Sequence, residues 1–90
     1  MKTIKCNISG KVQGVGFRWS TKQKARKLDI TGHAKNLDNG TVEVVAHGSK
    51  GSLDKLTNWL SNKGPRFAKI DNISCDELEV DDRPNSFETL

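Results

Sequence analysis

The stretch Gly10-Lys11-Val12-Gln13-Gly14-Val15-Gly16-Phe17-Arg18 gathers the residue types that hold an anion. Gly10, Gly14 and Gly16 open positive φ angles that other residues resist. Successive backbone N–H groups can then turn inward as an anion nest. A helix starting after the loop adds unpaired N–H groups and the positive end of its dipole. Arg18 brings a permanent, planar, five-donor cation to the mouth of that nest. The chemistry these parts support is the seating of a phosphoryl group. Both familiar nucleotide routes are excluded. No Gly-Lys-Ser/Thr follows, as a Walker loop requires, and Trp19 stands where G-x-G-x-x-G needs its third glycine.

No metal or cofactor is expected to assist. Cys6 and Cys75 are the only cysteines, far apart and without metal-ligand spacing, and His33 and His47 form no spaced pair with them. The chain of 90 residues is long enough for one modest core and is expected to form a single domain over residues 1–90. Its 33% hydrophobic and 29% charged residues describe a folded, soluble chain rather than a disordered one. No apolar run approaches a membrane span and no signal peptide precedes Ile4, so a cytoplasmic location without membrane attachment is expected. There both thiols are reduced by default. The formal charge of +4 favours anionic partners weakly. Lys22, Lys24, Arg26 and Lys27 form the one basic cluster, which on a helix reads as a solvated face rather than a nucleic-acid patch.

The elements that must position the loop are legible from periodicity. Ile4, Cys6 and Ile8 alternate with polar residues, as in a strand with one buried face. Phe17, Thr21, Ala25 and Leu28 fall at helical spacing. Ile30 to Asn36 and Thr41 to His47 read as two strands, joined by a turn at Leu37-Asp38-Asn39-Gly40 with its Asn-Gly signal. Leu53, Leu56, Trp59 and Leu60 share one face of a second helix, capped by Ser49 or Ser52 and stopped by Gly64-Pro65. Ala68 to Cys75 is a fourth strand, and Phe87 to Leu90 a short terminal one.

The order β-α-β-β-α-β implies an α+β, ferredoxin-like sandwich. Two split βαβ units with right-handed crossovers interleave into an antiparallel sheet of order 4-1-3-2, with both helices on one face. Strands one and two then run parallel with strand three between them, and both end at the same edge. The glycine loop leaves the end of strand one, and Asn36 sits at the end of strand two, roughly 10 Å away. A side chain reaching inward from each could meet over a small ligand. Strand four lies beside strand one, so Cys6 and Cys75 are expected to be neighbours able to bridge under oxidation.

Here the residues resemble a family. Gly10 to Arg18 is similar to the first motif of the acylphosphatases, G-x-V-Q-G-V-x-F-R, and Gly32-His33-Ala34-Lys35-Asn36 with Gly40, Val42 and Gly48 resembles the second. The stretch W-L-S-N-K-G-P and Phe87 also fit, so the resemblance spans nearly the whole chain. One departure is His33, where the family usually has an aromatic ring; it is expected to alter packing and pH response beside the site more than the reaction.

The resemblance implies hydrolysis of the carboxyl–phosphate bond of small-molecule acyl phosphates, giving a carboxylate and inorganic phosphate; an activated anhydride makes no metal obligatory, and nothing in the sequence requires more than a monomer. It implies that Gln13, Gly14, Val15, Gly16, Phe17 and Arg18 form the phosphate loop, that Arg18 binds phosphate and that Asn36 positions the attacking water. The residue chemistry agrees, because a mixed anhydride is already activated and needs chiefly a fixed phosphoryl group and stabilised equatorial oxygens. Plainer roles stand beside these: Arg18 as a surface residue at a helix start, Asn36 as a turn starter. Phe17 reads as a core anchor, Ser20 and Thr21 as helix caps or, as the alternative, residues that approach the phosphate, and His47 as a solvent-facing strand residue. Neither Asp38 nor Glu43 has the setting of a catalytic carboxylate. A rival is a nucleic-acid-binding module of the same topology. It is disfavoured because Ile4 to Ser9 and Thr41 to His47 carry no aromatic residue to stack bases. A non-catalytic anion-sensing domain would use the same seat.

Overall fold

A computed structural model describes residues 1–62, 64–65, 67–79 and 85–90. Lys63, within one stretch that resembles the family, lies outside the described residues. Strand β1 (Lys2–Lys11) leads through the glycine loop into α1 (Phe17–Lys27), followed by β2 (Thr31–Asn36), β3 (Val42–Gly48), α2 (Lys50–Asn62), β4 (Lys69–Leu78) and β5 (Phe87–Thr89). The sheet order is β4-β1-β3-β2-β5. The expected α+β ferredoxin-like arrangement is thus the observed one. Strand β5 makes the sheet mixed, since it pairs parallel to β2 while the other neighbours are antiparallel.

Register explains where the core sits. On one face of the sheet Ile4, Ala46 and Gly32 form a row, then Cys6, Val44 and Ala34, then Ile8, Val42 and Asn36. The apolar side chains of these rows are buried beneath Phe17 and Ala25 of α1 and Leu53, Leu56 and Leu60 of α2, except Ile4, which is partly buried against them. The rows grow more polar only at Asn36, where the buried face runs out toward the glycine loop. On the opposite face, Lys5, Val45 and His33 form one row, and Asn7, Glu43 and Lys35 the next.

Local chemistry sets the element boundaries. Ser49 caps α2 by accepting the Ser52 N–H at 3.2 Å, and Gly64, left-handed at φ 59°, stops it by donating to Trp59 O at 2.6 Å. The β2–β3 turn closes with Gly40 N–H on Leu37 O at 3.1 Å. Gly40 alone is left-handed there (φ 89°), so the turn is a three-residue loop closed by a glycine rather than a two-residue Asn-Gly turn. Asn39 instead accepts from Thr41 N–H at 3.1 Å and from its hydroxyl. Gly32, at φ 138°, is required by close approach: a Cβ there would stand 1.8 Å from Val45 O.

Cys6 and Cys75 face each other in the β1–β4 register, with Cα atoms 4.0 Å apart, and are joined as a disulfide. Adjacency follows the expectation from topology; the bond departs from the reduced default, because the antiparallel register sets the two thiols directly opposite one another.

Candidate active site

The loop between β1 and α1 is held open by its glycines. Gly14 and Gly16 take positive φ, at 76° and 75°, whereas Gly10 (φ 125°) lies within β1 at the bulge opposite β4, where a Cβ would stand 2.1 Å from Lys69 O. A Cβ on Gly14 or Gly16 would meet nothing within 4 Å, so glycine is needed there for the backbone turn and not for space. Helix α1 starts directly from left-handed Gly16, whose carbonyl accepts the Ser20 N–H at 3.0 Å. The expected capping by Ser20 or Thr21 is therefore corrected: the N-cap is Gly16, without a side-chain cap. Both residues already lie inside the helix, and Thr21 is wholly buried, its hydroxyl without a hydrogen-bond partner among the described residues. No acidic residue occupies the first turn of α1, so the positive end of the helix is not neutralised from its own sequence.

The loop is anchored to the β2–β3 turn by Gln13. Its Nε2 donates to Leu37 O at 2.8 Å and to Thr41 O at 2.9 Å, tying the two chain segments together beside the end of β2. Phe17 is 1% exposed and anchors the start of α1 in the core, as expected. Val15 is half-buried and packs against that core.

Between these segments lies a cavity of about 190 Å³, lined by Val12, Gly14, Gly16, Phe17, Arg18, Trp19, Lys22, Asn36 and Thr89. It brings Arg18 and Asn36 together from α1 and the end of β2. Gly14, Gly16 and Phe17 of the loop join them, whereas Gln13 and Val15 do not line the cavity. Asn36 Oδ1 is buried and has no hydrogen-bond partner among the described residues. Arg18 Nη1 donates to the backbone oxygen of Leu90 at 2.7 Å, which orients the guanidinium from the C-terminal side of β5.

Four lining residues, Val12, Trp19, Lys22 and Thr89, lie outside the site that the sequence singles out, Val12 being the buried residue that precedes the loop. Lys22 was grouped with the solvated lysines, yet it lies four residues after Arg18 and so on the same side of the helix. That spacing was available as a signal. Thr89 reaches the cavity from β5, and no local pattern announces it. Trp19 is 65% exposed at the cavity wall. Arg18 and Lys22 make the lining cationic, with no carboxylate among the lining residues. The nearby Glu88 carboxyl is held below the usual glutamate range, first by the Ser86 hydroxyl hydrogen bond and then by the charges of Lys22 and Arg26, against the opposing effect of desolvation.

Other titratable groups lie on the helix-free face, away from the cavity. His33 Nε2 stands 3.0 Å from Glu43 Oε2, and Lys5 Nζ 3.3 Å from Glu43 Oε1. Glu43 is accordingly held below its ordinary value, chiefly by the hydrogen bond from His33, with Lys5 adding to it and burial opposing. The expectation that His47 is a solvent-facing strand residue is corrected. It is half-buried, with Nδ1 2.7 Å from the Thr3 hydroxyl, because the register sets it between Thr3 and Thr31.

Comparison with known proteins matches this architecture. A curated acylphosphatase of Yersinia pseudotuberculosis is 44% identical over 83 residues, covering 92% of this chain and 86% of that protein. The crystal structure of the Bacillus subtilis acylphosphatase superposes with a TM-score of 0.93 at 32% identity, covering 100% of this chain and 99% of that one. A Coxiella burnetii acylphosphatase structure gives 0.91 at 43% identity, over 99% and 92% of the two chains. The acylphosphatase family model matches residues 4–89, and with the relatives and the fold in agreement, the chain belongs to the acylphosphatase family.

Proposed function

We propose that this chain hydrolyses acyl phosphates to a carboxylate and inorganic phosphate, working as a metal-independent, cytoplasmic monomer of one domain and without a nucleic-acid partner. The observation that carries the reading is the meeting of Arg18 and Asn36 in one cationic cavity, where Asn36 Oδ1 has no hydrogen-bond partner among the described residues. The phosphoryl oxygens sit against backbone N–H groups of the Gln13–Arg18 loop, and Arg18 adds charge-assisted hydrogen bonds that strengthen as charge builds on them. The Asn36 amide accepts a hydrogen bond from a water and holds it in line with the anhydride oxygen. The new O–P bond forms as the P–O bond to the carboxylate breaks. An amide is a poor base, so the proton of the water passes to a phosphoryl oxygen. The carboxylate leaves as an anion and needs no acid.

The test is turnover of benzoyl phosphate by the purified chain in the presence of a chelator. We expect rapid hydrolysis, falling by about 10²–10³ in Arg18→Ala and in Asn36→Ala, the usual loss for one transition-state contact. Near-normal turnover in either folded variant would overturn that residue's role. Phosphate binding without any turnover would leave an anion-sensing domain in place of the enzyme.

A further inference from the structure

Helix α1 carries two stripes of side chains with different surroundings. Arg18 and Lys22 face the phosphate cavity. One residue further round, Trp19, Gln23 and Lys27 follow at intervals of four, with Ser20 and Lys24 beside them. These five, together with Trp59 of α2, line a second, open groove of about 440 Å³. Trp19 belongs to both walls. An indole is a large surface to leave 65% exposed at the mouth of a polar cavity. Among the described residues the groove beyond it is lined by two lysines and no carboxylate, and Lys24 Nζ lies 5.9 Å from the Trp59 ring centroid. Because Trp19 is shared by both linings, the groove is a continuation of the cationic cavity open to the acyl group of a substrate whose phosphoryl group fills it.

We propose that the Trp19–Trp59 groove is the acyl seat, and that it selects aromatic acyl phosphates bearing a negative group at the far end of the ring. This rests on the acyl phosphate reading of the neighbouring cavity. The ring of the acyl group stacks offset on the Trp19 indole. Lys24 and Lys27 lie about 8 Å and 12 Å further along the helix axis, within the span of a para-substituted benzoyl group and flexible lysine stems. No bond is made or broken in the groove. Its contribution is to orient the carbonyl–phosphate bond and to favour one class of leaving carboxylate over small aliphatic ones.

The experiment compares kcat/KM for acetyl phosphate, benzoyl phosphate and 4-carboxybenzoyl phosphate in the full chain. In Trp19→Ala the benzoyl-to-acetyl ratio is expected to fall about tenfold, the scale of one aromatic stacking contact, and in Trp19→Phe most of it returns. In Lys24→Gln the preference for 4-carboxybenzoyl over benzoyl phosphate is expected to fall about threefold, as for a partly exposed charge pair. An unchanged benzoyl-to-acetyl ratio in an active Trp19→Ala chain overturns the acyl seat and leaves the hydrolase reading standing. An unchanged carboxyl preference in Lys24→Gln overturns its anionic end. Failure of the unaltered chain to turn over any of the three overturns the acyl phosphate reading itself, and this inference with it.

Discussion

At one edge of the sheet, β5 covers β2 with backbone hydrogen bonds and the buried ring of Phe87. At the other, β4 lies against β1 with most of its side chains in solvent and a disulfide through its middle. Gly32 N–H donates to Ser86 O at 3.0 Å and Leu90 N–H to Ala34 O at 2.8 Å, so the β5 segment is fastened on both sides of Phe87. The same segment supplies Thr89 to the cavity and the Leu90 oxygen to Arg18. Strand β4 supplies nothing to that cavity. Folding and the candidate site are therefore coupled at the β5 edge and separable at the β4 edge. A covalent bond can secure an edge strand without touching the chemistry, whereas an edge that lines the site must be held by its own packing.

The sharpest way to break this comparison is Phe87→Ala. Removing a fully buried ring is expected to cost about 3–5 kcal/mol and to lower activity in the fraction still folded, because Arg18 loses its support at Leu90. Chemical denaturation alongside benzoyl phosphate turnover would show both effects; full activity in the folded fraction would uncouple β5 from the site. Reducing the Cys6–Cys75 bridge, or replacing Cys75 by Ser, is expected to cost about 4 kcal/mol in the chain-entropy account, given the 69-residue separation. At temperatures where the chain stays folded, kcat/KM should be unchanged. A parallel loss of activity would show that the β4 edge reaches the site after all.

A smaller effect is expected for Gln13→Ala, which removes the donor shared by the Leu37 and Thr41 carbonyls. We expect about 1–2 kcal/mol of destabilisation with a measurable rise in KM, as the loop and the β2–β3 turn lose their tie. An unchanged KM would mean that the glycines alone hold the loop. The smallest effect concerns Glu43. Because its folded pKa is lowered, its contribution is present above the ordinary value of 4.5 and is lost as pH falls through the lowered one. In Glu43→Gln, unfolding free energy measured from pH 6 to pH 3 should fall less steeply than in the unaltered chain. Equal slopes would remove the His33–Glu43 pair from the acid response.

Much of the site was legible because its requirements are local. The glycine loop follows from φ preferences, and Arg18 follows from the helix start that the Phe17-Thr21-Ala25 spacing announces. The topology, read from strand and helix order, led to Asn36 at the right edge and to Cys6 beside Cys75. The capping of α1 was misread because Ser20 and Thr21 are strong caps in general, while left-handed Gly16 ended the loop first. Lys22 was overlooked because a lysine on a charged helix looks the same in sequence whether it faces water or a cavity.

Sequence alone thus determined the loop, the cation at its mouth, the order of elements and the family pattern, since each depends on residues within a turn or strand of one another. Tertiary structure decided that Thr89 and the Leu90 oxygen meet Arg18, that Asn36 ends a row with Ile8 and Val42, and that Trp19 divides two cavities. Those contacts join segments up to 72 residues apart. Only sheet register and the packing of α1 over the sheet can bring them together.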